Sequence, residues 1–227
     1  MTIRVRGTNG AARNKTGFAT LAVSLLLAGC VAVSPPPNIQ PQAANAVSTS
    51  PQDWYVYYSA DMPPHPLADS EGIWSLKFPQ IAAGHVNYIQ TPFRSTTRLQ
   101  DVTVVFRVES SAPLYTVLDP GDISPATLHI FVEQQGDDLS DPNGRWWAQT
   151  GGYDLGSKDN ETITIEVPFT PNDWSNVFGQ SDATNFSNAL TNIGWIGITF
   201  GGQYFWGHGV ALASGSSKFT LIDMRID

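Results

Sequence analysis

The chain has a single cysteine, Cys30, among its 227 residues. No disulfide bond can form within it, so a folded domain must draw its stability from a hydrophobic core. Basic residues are also scarce. The residues after Cys30 hold 8 basic and 20 acidic side chains, a net charge of −12. A surface this acidic argues against nucleic acid or an anionic membrane surface as a partner, because both require a basic face.

The sequence also has no apolar run of the length that spans a bilayer, about 20 residues. A shorter apolar stretch covers residues 18–28 and follows a segment that has four basic residues and no acid. The basic residues are Arg4, Arg6, Arg13 and Lys15. A basic start, a short apolar stretch and small residues at a cleavage point are typical of a secretory signal. The pattern predicts a signal peptide over residues 1–29.

The apolar stretch ends in Leu27-Ala28-Gly29-Cys30, which resembles the lipobox of bacterial lipoproteins. The resemblance implies that Cys30 carries a lipid such as palmitate and becomes the first residue of a membrane-anchored mature protein. Acylation would also explain a lone thiol in an exported chain. The alternative is an ordinary signal peptide with an incidental cysteine. In the lipoprotein family an aspartate after the cysteine marks inner-membrane retention, so Val31 favours the outer membrane, on its periplasmic or its outer side.

The residues after the cysteine have the composition of a linker. Residues 31–52 contain five prolines, no charge and no aromatic side chain. Such a segment is partly extended and partly flexible, and it would hold a domain away from the membrane. The sequence thus predicts a spacer over residues 30–52 and one domain over residues 53–227, large enough for a substantial core.

Within that domain, apolar and polar residues alternate with the period of two that is typical of β-strands. Between Asp101 and Glu109, three valines and a phenylalanine fall on one side and polar residues on the other. The pattern recurs in residues 73–78, 86–91, 127–134, 162–169, 195–200 and 218–226. Clusters of glycine, proline, asparagine and aspartate separate these segments. The pattern predicts an all-β fold, an antiparallel β-sandwich of the jelly-roll type.

Two short helices are predicted between the strands. Thr170 is a candidate N-cap followed by a proline, in a segment that ends at Gly179. A second helix is predicted over residues 182–192, where apolar residues recur with helical spacing and would pack on the sandwich.

Signatures of catalysis are missing from the sequence. No serine lies in a Gly-x-Ser-x-Gly turn, no second cysteine is available as a nucleophile, and no His-Glu-x-x-His pair is present. The many acids could supply the two carboxylates of a glycan-cleaving enzyme. Most of them fall in loops, where acids are commonly solvated. The sequence favours a protein that is not an enzyme.

Aromatic residues give the strongest indication of a ligand site. In a strand, Trp146 and Trp147 point to opposite faces, so at most one fills the core and the other is exposed or lies under a loop. An exposed ring beside polar groups suits a sugar, because the ring stacks on C–H groups while polar side chains bond hydroxyls. The alternative is that these rings pack in an aromatic-rich sandwich. The predicted ligand-binding residues are Asp138, Arg145, Trp146, Trp147, Tyr153, Tyr204, Trp206 and His208.

From Asp101 onward, the order of features resembles galactose-binding, discoidin-like jelly-roll domains, which include several carbohydrate-binding modules. The features are DVTVVFRVE, LHIFVEQ leading into GDD and RWW, TITIEVPF before Trp174, and a closing KFTLIDMRI. The stretch between them is similar to a group of exported bacterial proteins with a TFGG…GHGV pattern. The resemblance implies a ligand face on one sheet or in the loops at one end of the domain.

Together these observations predict a lipid-anchored envelope protein whose β-sandwich binds carbohydrate without cleaving it. Two alternatives stay open: a structural or protein-interaction lipoprotein, and a glycan-active enzyme with paired carboxylates. No cofactor is predicted. Calcium is a minor alternative at the acidic loop of residues 136–141 and at Asp119 and Asp122, because calcium prefers several oxygen ligands.

Overall fold

The alternating segments form two facing antiparallel sheets. The computed structural model describes residues 47–57, 63–78, 87–95, 97–119, 122–138, 140–149, 153–155, 160–201, 210–212 and 214–227. The chain divides into two units, residues 1–38 and 39–227, and every described residue falls in the second. The predicted signal peptide, Cys30 and most of the predicted spacer therefore lie outside the described residues.

The strands of the first half are β1 (Tyr55–Tyr57), β2 (Leu67–Ala68), β3 (Trp74–Lys77), β4 (Asn87–Pro92), β5 (Asp101–Ser110), β6 (Leu114–Asp119), β7 (Asp122–Pro125) and β8 (Thr127–Gln134). Those of the second half are β9 (Arg145–Ala148), β10 (Tyr153–Asp154), β11 (Thr162–Pro168), β12 (Trp174–Asn176), β13 (Ile193–Gly201), β14 (Ala211–Leu212) and β15 (Ser217–Ile226). Each of the seven predicted strands is present within one or two residues of its expected ends, apart from the start of β13.

The larger sheet has seven strands in the order β1-β4-β13-β8-β9-β12, with β10 also paired to β8. The second sheet has five strands in the order β11-β5-β15-β3-β2, and β14-β6-β7 form a small third sheet. Because the two larger sheets bury a shared apolar layer, the predicted antiparallel β-sandwich is confirmed.

Aromatic rings join the two sheets. Phe200 of the seven-stranded sheet meets Phe219 of the five-stranded sheet with 5.1 Å between ring centroids. Phe106 stacks on the other side of Phe219 at 5.4 Å. Core side chains of this size make most of the apolar contact that stabilises a domain without disulfides.

The sandwich begins with a fully buried tryptophan, Trp54. Its ring meets Trp74 edge-on at 5.4 Å, and its Nε1 donates a hydrogen bond to the carbonyl oxygen of Ser48 at 2.8 Å. Val47 also packs against the core. Residues 47–52, which the sequence assigns to the spacer, therefore already contact the sandwich.

One predicted helix is present and the other is not. Helix α1 (Ala183–Thr191) begins after Asp182, whose Oδ1 accepts hydrogen bonds from the backbone N–H groups of Thr184 and Asn185. The helix predicted over residues 170–179 was wrong, because that segment forms a single 3-10 turn, Pro171–Asp173, followed by strand β12. Strand pairing with β9 wins there because it buries all three residues of β12 and stacks the ring of Trp174 on Phe169 at 5.1 Å.

In the described ranges, no helix has the length and apolar character needed to cross a membrane.

Candidate functional site

The outward faces of the two larger sheets differ in chemistry. On the five-stranded sheet, the outward side chains are mostly charged or hydroxylated. Glu109 forms ion pairs with Lys218 at 3.1 Å and with Arg107 at 3.3 Å. Among the described residues, no aromatic side chain projects from this face. Such a surface is typical of a face that meets only water.

The outward face of the seven-stranded sheet carries six aromatic side chains. We call this surface the aromatic face. The strand register places on it the side chains of Tyr55, Tyr57, Tyr88, Phe131, Trp147 and Trp195, with Gln90, His129, Glu133 and Arg145 among them. Alternation explains the set, because the neighbouring residues in each strand belong to the core between the sheets.

A β-bulge directs Trp195 onto the aromatic face. The register of β13 against β8 shifts between Ile193 and Trp195, so that Gly194 is the extra residue. Ile193 and Ile196 both point into the core, and without the bulge Trp195 would do so as well. Glycine is required at this position because a Cβ on Gly194 would lie 2.6 Å from the Cα of Gln135.

A second glycine lowers the centre of the face. Gly197 lies directly between Gln90 on β4 and Phe131 on β8. A Cβ on Gly197 would come within 2.2 Å of the carbonyl oxygen of Ile89 and 2.9 Å of the Phe131 ring. The absent side chain therefore lets the Phe131 ring lie close against the backbone of β13.

At one edge of the aromatic face, three half-buried rings form a cluster, which we call the ring platform: Tyr55, Tyr57 and Trp195. Tyr55 and Tyr57 are nearly parallel at 6.1 Å, and each meets Trp195 edge-on, at 5.8 and 6.3 Å. The His65 ring lies 5.0 Å from Tyr55. The platform combines partly exposed rings with a rigid sheet beneath them.

The interior of the aromatic face is closed. Tyr88, Phe131 and Trp147 form a small apolar cluster of their own, separate from the main core, and Tyr57 packs against it. Phe131 and Trp147 stack at 6.3 Å, and Trp147 is 1% exposed. These rings support the platform from one side.

Beside the platform lies a group of buried charged residues. Glu133 is directly opposite Trp195 on one side and Arg145 on the other. The Arg145 Nε contacts Asp137 Oδ2 at 2.8 Å, and both side chains are almost fully buried. Burial, and to a smaller extent the charge of Asp137, raise the pKa of Glu133 to about 7, while Arg145 acts in the opposite direction.

His129 lies further along the same strand and face. Its Nε2 is 3.1 Å from the hydroxyl oxygen of Thr127, and its Nδ1 is 3.4 Å from the carbonyl oxygen of Ala148. Burial lowers the pKa of His129 to about 4, opposed by the hydrogen bond to Ala148. The imidazole is therefore neutral at pH 7, as expected for a sheet histidine with hydrogen-bond partners.

The structure separates the predicted ligand-binding residues. Trp146 and Trp147 do point to opposite faces, as alternation requires, and Arg145 and Trp147 lie on the aromatic face. Trp146 is a core residue: it is 0% exposed, its Nε1 donates to the Asn143 carbonyl at 2.7 Å, and its ring packs on Phe186. The expectation that one of these two tryptophans presents an open ring is corrected, because Trp147 is also buried.

The other predicted residues are placed as follows. Tyr153 is half-buried and turns toward the core, with its ring 5.4 Å from Phe106. Asp138 is exposed in the loop after β8, where hydrogen bonds from the side chain and backbone of Ser140 lower its pKa. Tyr204, Trp206 and His208 lie outside the described residues.

Sequence reasoning missed the ring platform and Glu133. A signal for the platform was present, because Tyr55-Val56-Tyr57 and Trp195-Ile196-Gly197 each alternate aromatic or small residues with apolar ones. Glu133 was placed on the polar side of its strand, but nothing in the sequence showed that it would be buried next to Trp195.

The acidic loop binds its own chain. Asp137 pairs with Arg145, and the Oδ1 atoms of Asp138 and Asp141 accept backbone hydrogen bonds from Ser140 and Asn143. In the part of the chain that the structure describes, no three histidine, cysteine or acidic side chains come together as a metal site would require.

Comparison with known proteins places the chain near carbohydrate-binding modules in overall shape. It is similar to a xylan-binding module, CBM15, at 13% identity and a TM-score of 0.41, over 79% of this chain and 99% of the module. It is also similar to the N-terminal cellulose-binding domain of Cellulomonas fimi β-1,4-glucanase C, at 11% identity and a TM-score of 0.38, over 83% of this chain and 97% of that domain.

No family model and no curated protein sequence matches the chain. Because both structural identities are so low, the ligand has to be worked out from the residues of this chain.

Proposed function

We propose that this chain is an exported lipoprotein, anchored to the outer membrane through a lipid on Cys30, whose β-sandwich binds carbohydrate without cleaving it. The ring platform carries the proposal. Tyr55, Tyr57 and Trp195 are partly exposed on one sheet, whereas the described part of the opposite sheet has no outward aromatic. Rings on a rigid sheet are suited to stack against the C–H face of a sugar.

The placement of Trp195 supports a ligand role over simple packing. A bulge that requires Gly194 turns this large side chain away from the core, although burial there would stabilise the fold by about 2–3 kcal/mol. Bulges of this kind commonly redirect a side chain toward a functional site.

The charged residues near the platform support binding over cleavage. A glycan-cleaving enzyme needs two carboxyl groups that face the scissile bond. Of the two acids next to Trp195 and Arg145, Asp137 is ion-paired with Arg145 and its side chain is 1% exposed. Only Glu133 remains beside the rings.

The test is retardation of the purified full-length chain in gels that contain soluble neutral polysaccharides: xylan, hydroxyethylcellulose, mixed-linkage β-glucan or galactomannan. We expect at least one to retard the wild type, and Trp195→Ala to weaken that binding by about tenfold or more. Trp195→Ala should unfold within about 1–2 kcal/mol of the wild type, because this ring is only half-buried.

Two matched variants separate the ligand role from a general loss of structure. Tyr115→Ala removes a half-buried ring from the small third sheet and should leave binding unchanged. Trp146→Ala should cost about 3–5 kcal/mol of stability, since that ring fills the core. Binding by Trp195→Ala at wild-type strength would rule out the platform, and a wild type that binds no polysaccharide would favour the protein-interaction alternative.

A further inference from the structure

Glu133 is a buried carboxyl group without a partner. It is 9% exposed, and among the described residues no hydrogen bond and no ion pair reaches its side chain. The one cation beside it, Arg145, contacts Asp137 at 2.8 Å. Asp137 and Arg145 are the two charged groups in the described chain that act on Glu133, one on the loop after β8 and one on β9. From β13 it faces Trp195.

An unpartnered buried carboxyl group is costly to a folded protein. Buried polar atoms are nearly always hydrogen-bonded, and an exception needs a cause such as a ligand that supplies the missing partner. Replacement by a glutamine or an apolar residue would remove the cost. The position of Glu133 suggests the ligand, because its strand register sets it directly beside the ring of Trp195.

We propose that Glu133 is the polar half of the carbohydrate site, and that its carboxylate accepts hydrogen bonds from hydroxyl groups of a neutral sugar stacked on Trp195. The inference rests on the proposed function. Ring and carboxyl would together recognise the two parts of a sugar, its C–H face and its equatorial hydroxyls. Uronic acids would be disfavoured, because a second carboxylate would face Glu133, Asp137 and a chain of net charge −12 after Cys30.

Binding should then be linked to a proton. In the free protein the pKa of Glu133 is about 7, so the group is partly protonated near neutrality. Hydroxyls that donate to the carboxylate stabilise its ionised form and lower its pKa in the complex. The complex therefore releases a proton when it forms, and affinity rises as pH increases through about 7.

The experiment is calorimetric titration of the full-length chain with the neutral polysaccharide that retards it. Titrations at about pH 5.5 and about pH 8.5 lie on either side of the Glu133 pKa. We expect the wild type to bind about tenfold more tightly at the higher pH, as hydrogen bonds to a charged group require. Near pH 7, buffers of different ionisation enthalpy should report proton release.

Glu133→Gln should bind equally at both pH values and more weakly than the wild type at the higher one. The matched control is Glu166→Gln, an exposed glutamate on the opposite sheet, which should behave as the wild type. Should Glu133→Gln fail to fold, proton release by the wild type decides alone.

The outcomes distinguish the two proposals. A wild type that binds with the same affinity at both pH values, or more tightly at the lower one, overturns the role of Glu133. So does a Glu133→Gln variant that keeps the wild-type pH dependence. If Trp195→Ala loses binding in either of these cases, the carbohydrate site stands and only this inference falls. If no polysaccharide binds the wild type, both fall.

Discussion

Glu133 and His129 lie on the same face of β8, and burial shifts their titration in opposite senses. The pKa of Glu133 is raised to about 7 and that of His129 is lowered to about 4. Folding therefore favours the protonated glutamate and the neutral imidazole. As pH rises from about 4.5 to 7, Glu133 makes the fold less stable, whereas His129 makes it more stable between about 4 and 6.5. Over most of this range the two effects oppose each other.

This opposition gives a prediction for stability that needs no ligand. Glu133→Gln should match the wild type at acidic pH and become more stable than it as pH rises, by about 3 kcal/mol at pH 8. The reason is that glutamine keeps the shape of the side chain but has no charge to bury. The measurement is the free energy of unfolding in urea for both proteins at about pH 5 and about pH 8.

The exposed Glu166→Gln variant serves as the control, since its carboxyl group is solvated. A constant difference between Glu133→Gln and the wild type across this pH range would show that Glu133 is not buried in the folded protein.

At the scale of single residues, the sequence allowed some of the site to be predicted. Alternation correctly assigned Trp146 and Trp147 to opposite faces, and it placed His129 and Glu133 on the polar side of β8. It could not show that Trp147 is covered, because cover depends on chain segments distant in sequence. Its buried neighbours, Tyr88 and Phe131, lie on two different strands.

At the scale of elements, the strands with strict alternation were predicted well and the irregular ones were not. Strand β8 begins and ends where the pattern predicts, because both of its faces have a defined environment. Strand β12 was taken for part of a helix, since Thr-Pro-Asn-Asp is a good helix start. Pairing with β9, a contact between segments far apart in sequence, decides its structure.

The bulge at Gly194 shows a second reason for failure. A period-two pattern carries no mark of an extra residue, so the expected strand began at Trp195 and its first turn into the sheet went unseen. Short strand β1 was missed because three residues give too few alternations to recognise. Both omissions fall at the ring platform, where function departs from regular packing.

At the scale of the whole molecule, the lipid anchor is the property that decides where the site operates. We predict that Cys30→Ser abolishes lipid attachment and shifts the protein from the membrane to the soluble fraction, because no other thiol exists in the chain. The measurement is incorporation of a labelled fatty acid, followed by cell fractionation.

Ala28→Ser keeps a small residue in the lipobox and is the matched control, with lipid retained. Label that persists on the Cys30→Ser variant would rule out the anchor at this position.

Trp54 has a mechanical consequence in a protein held by its N-terminus. Drag on a captured polymer would pull along the tether and enter the sandwich at residue 47, before strand β1 with Tyr55 and Tyr57. Trp54 would bear that load first, because its ring is locked against Trp74 and its Nε1 is bonded to Ser48. The platform would keep its shape under tension until Trp54 is extracted. In an optical trap that pulls on the N-terminus, Trp54→Ala should therefore lower the force at which the domain begins to open, and an unchanged opening force would show that the load is borne elsewhere.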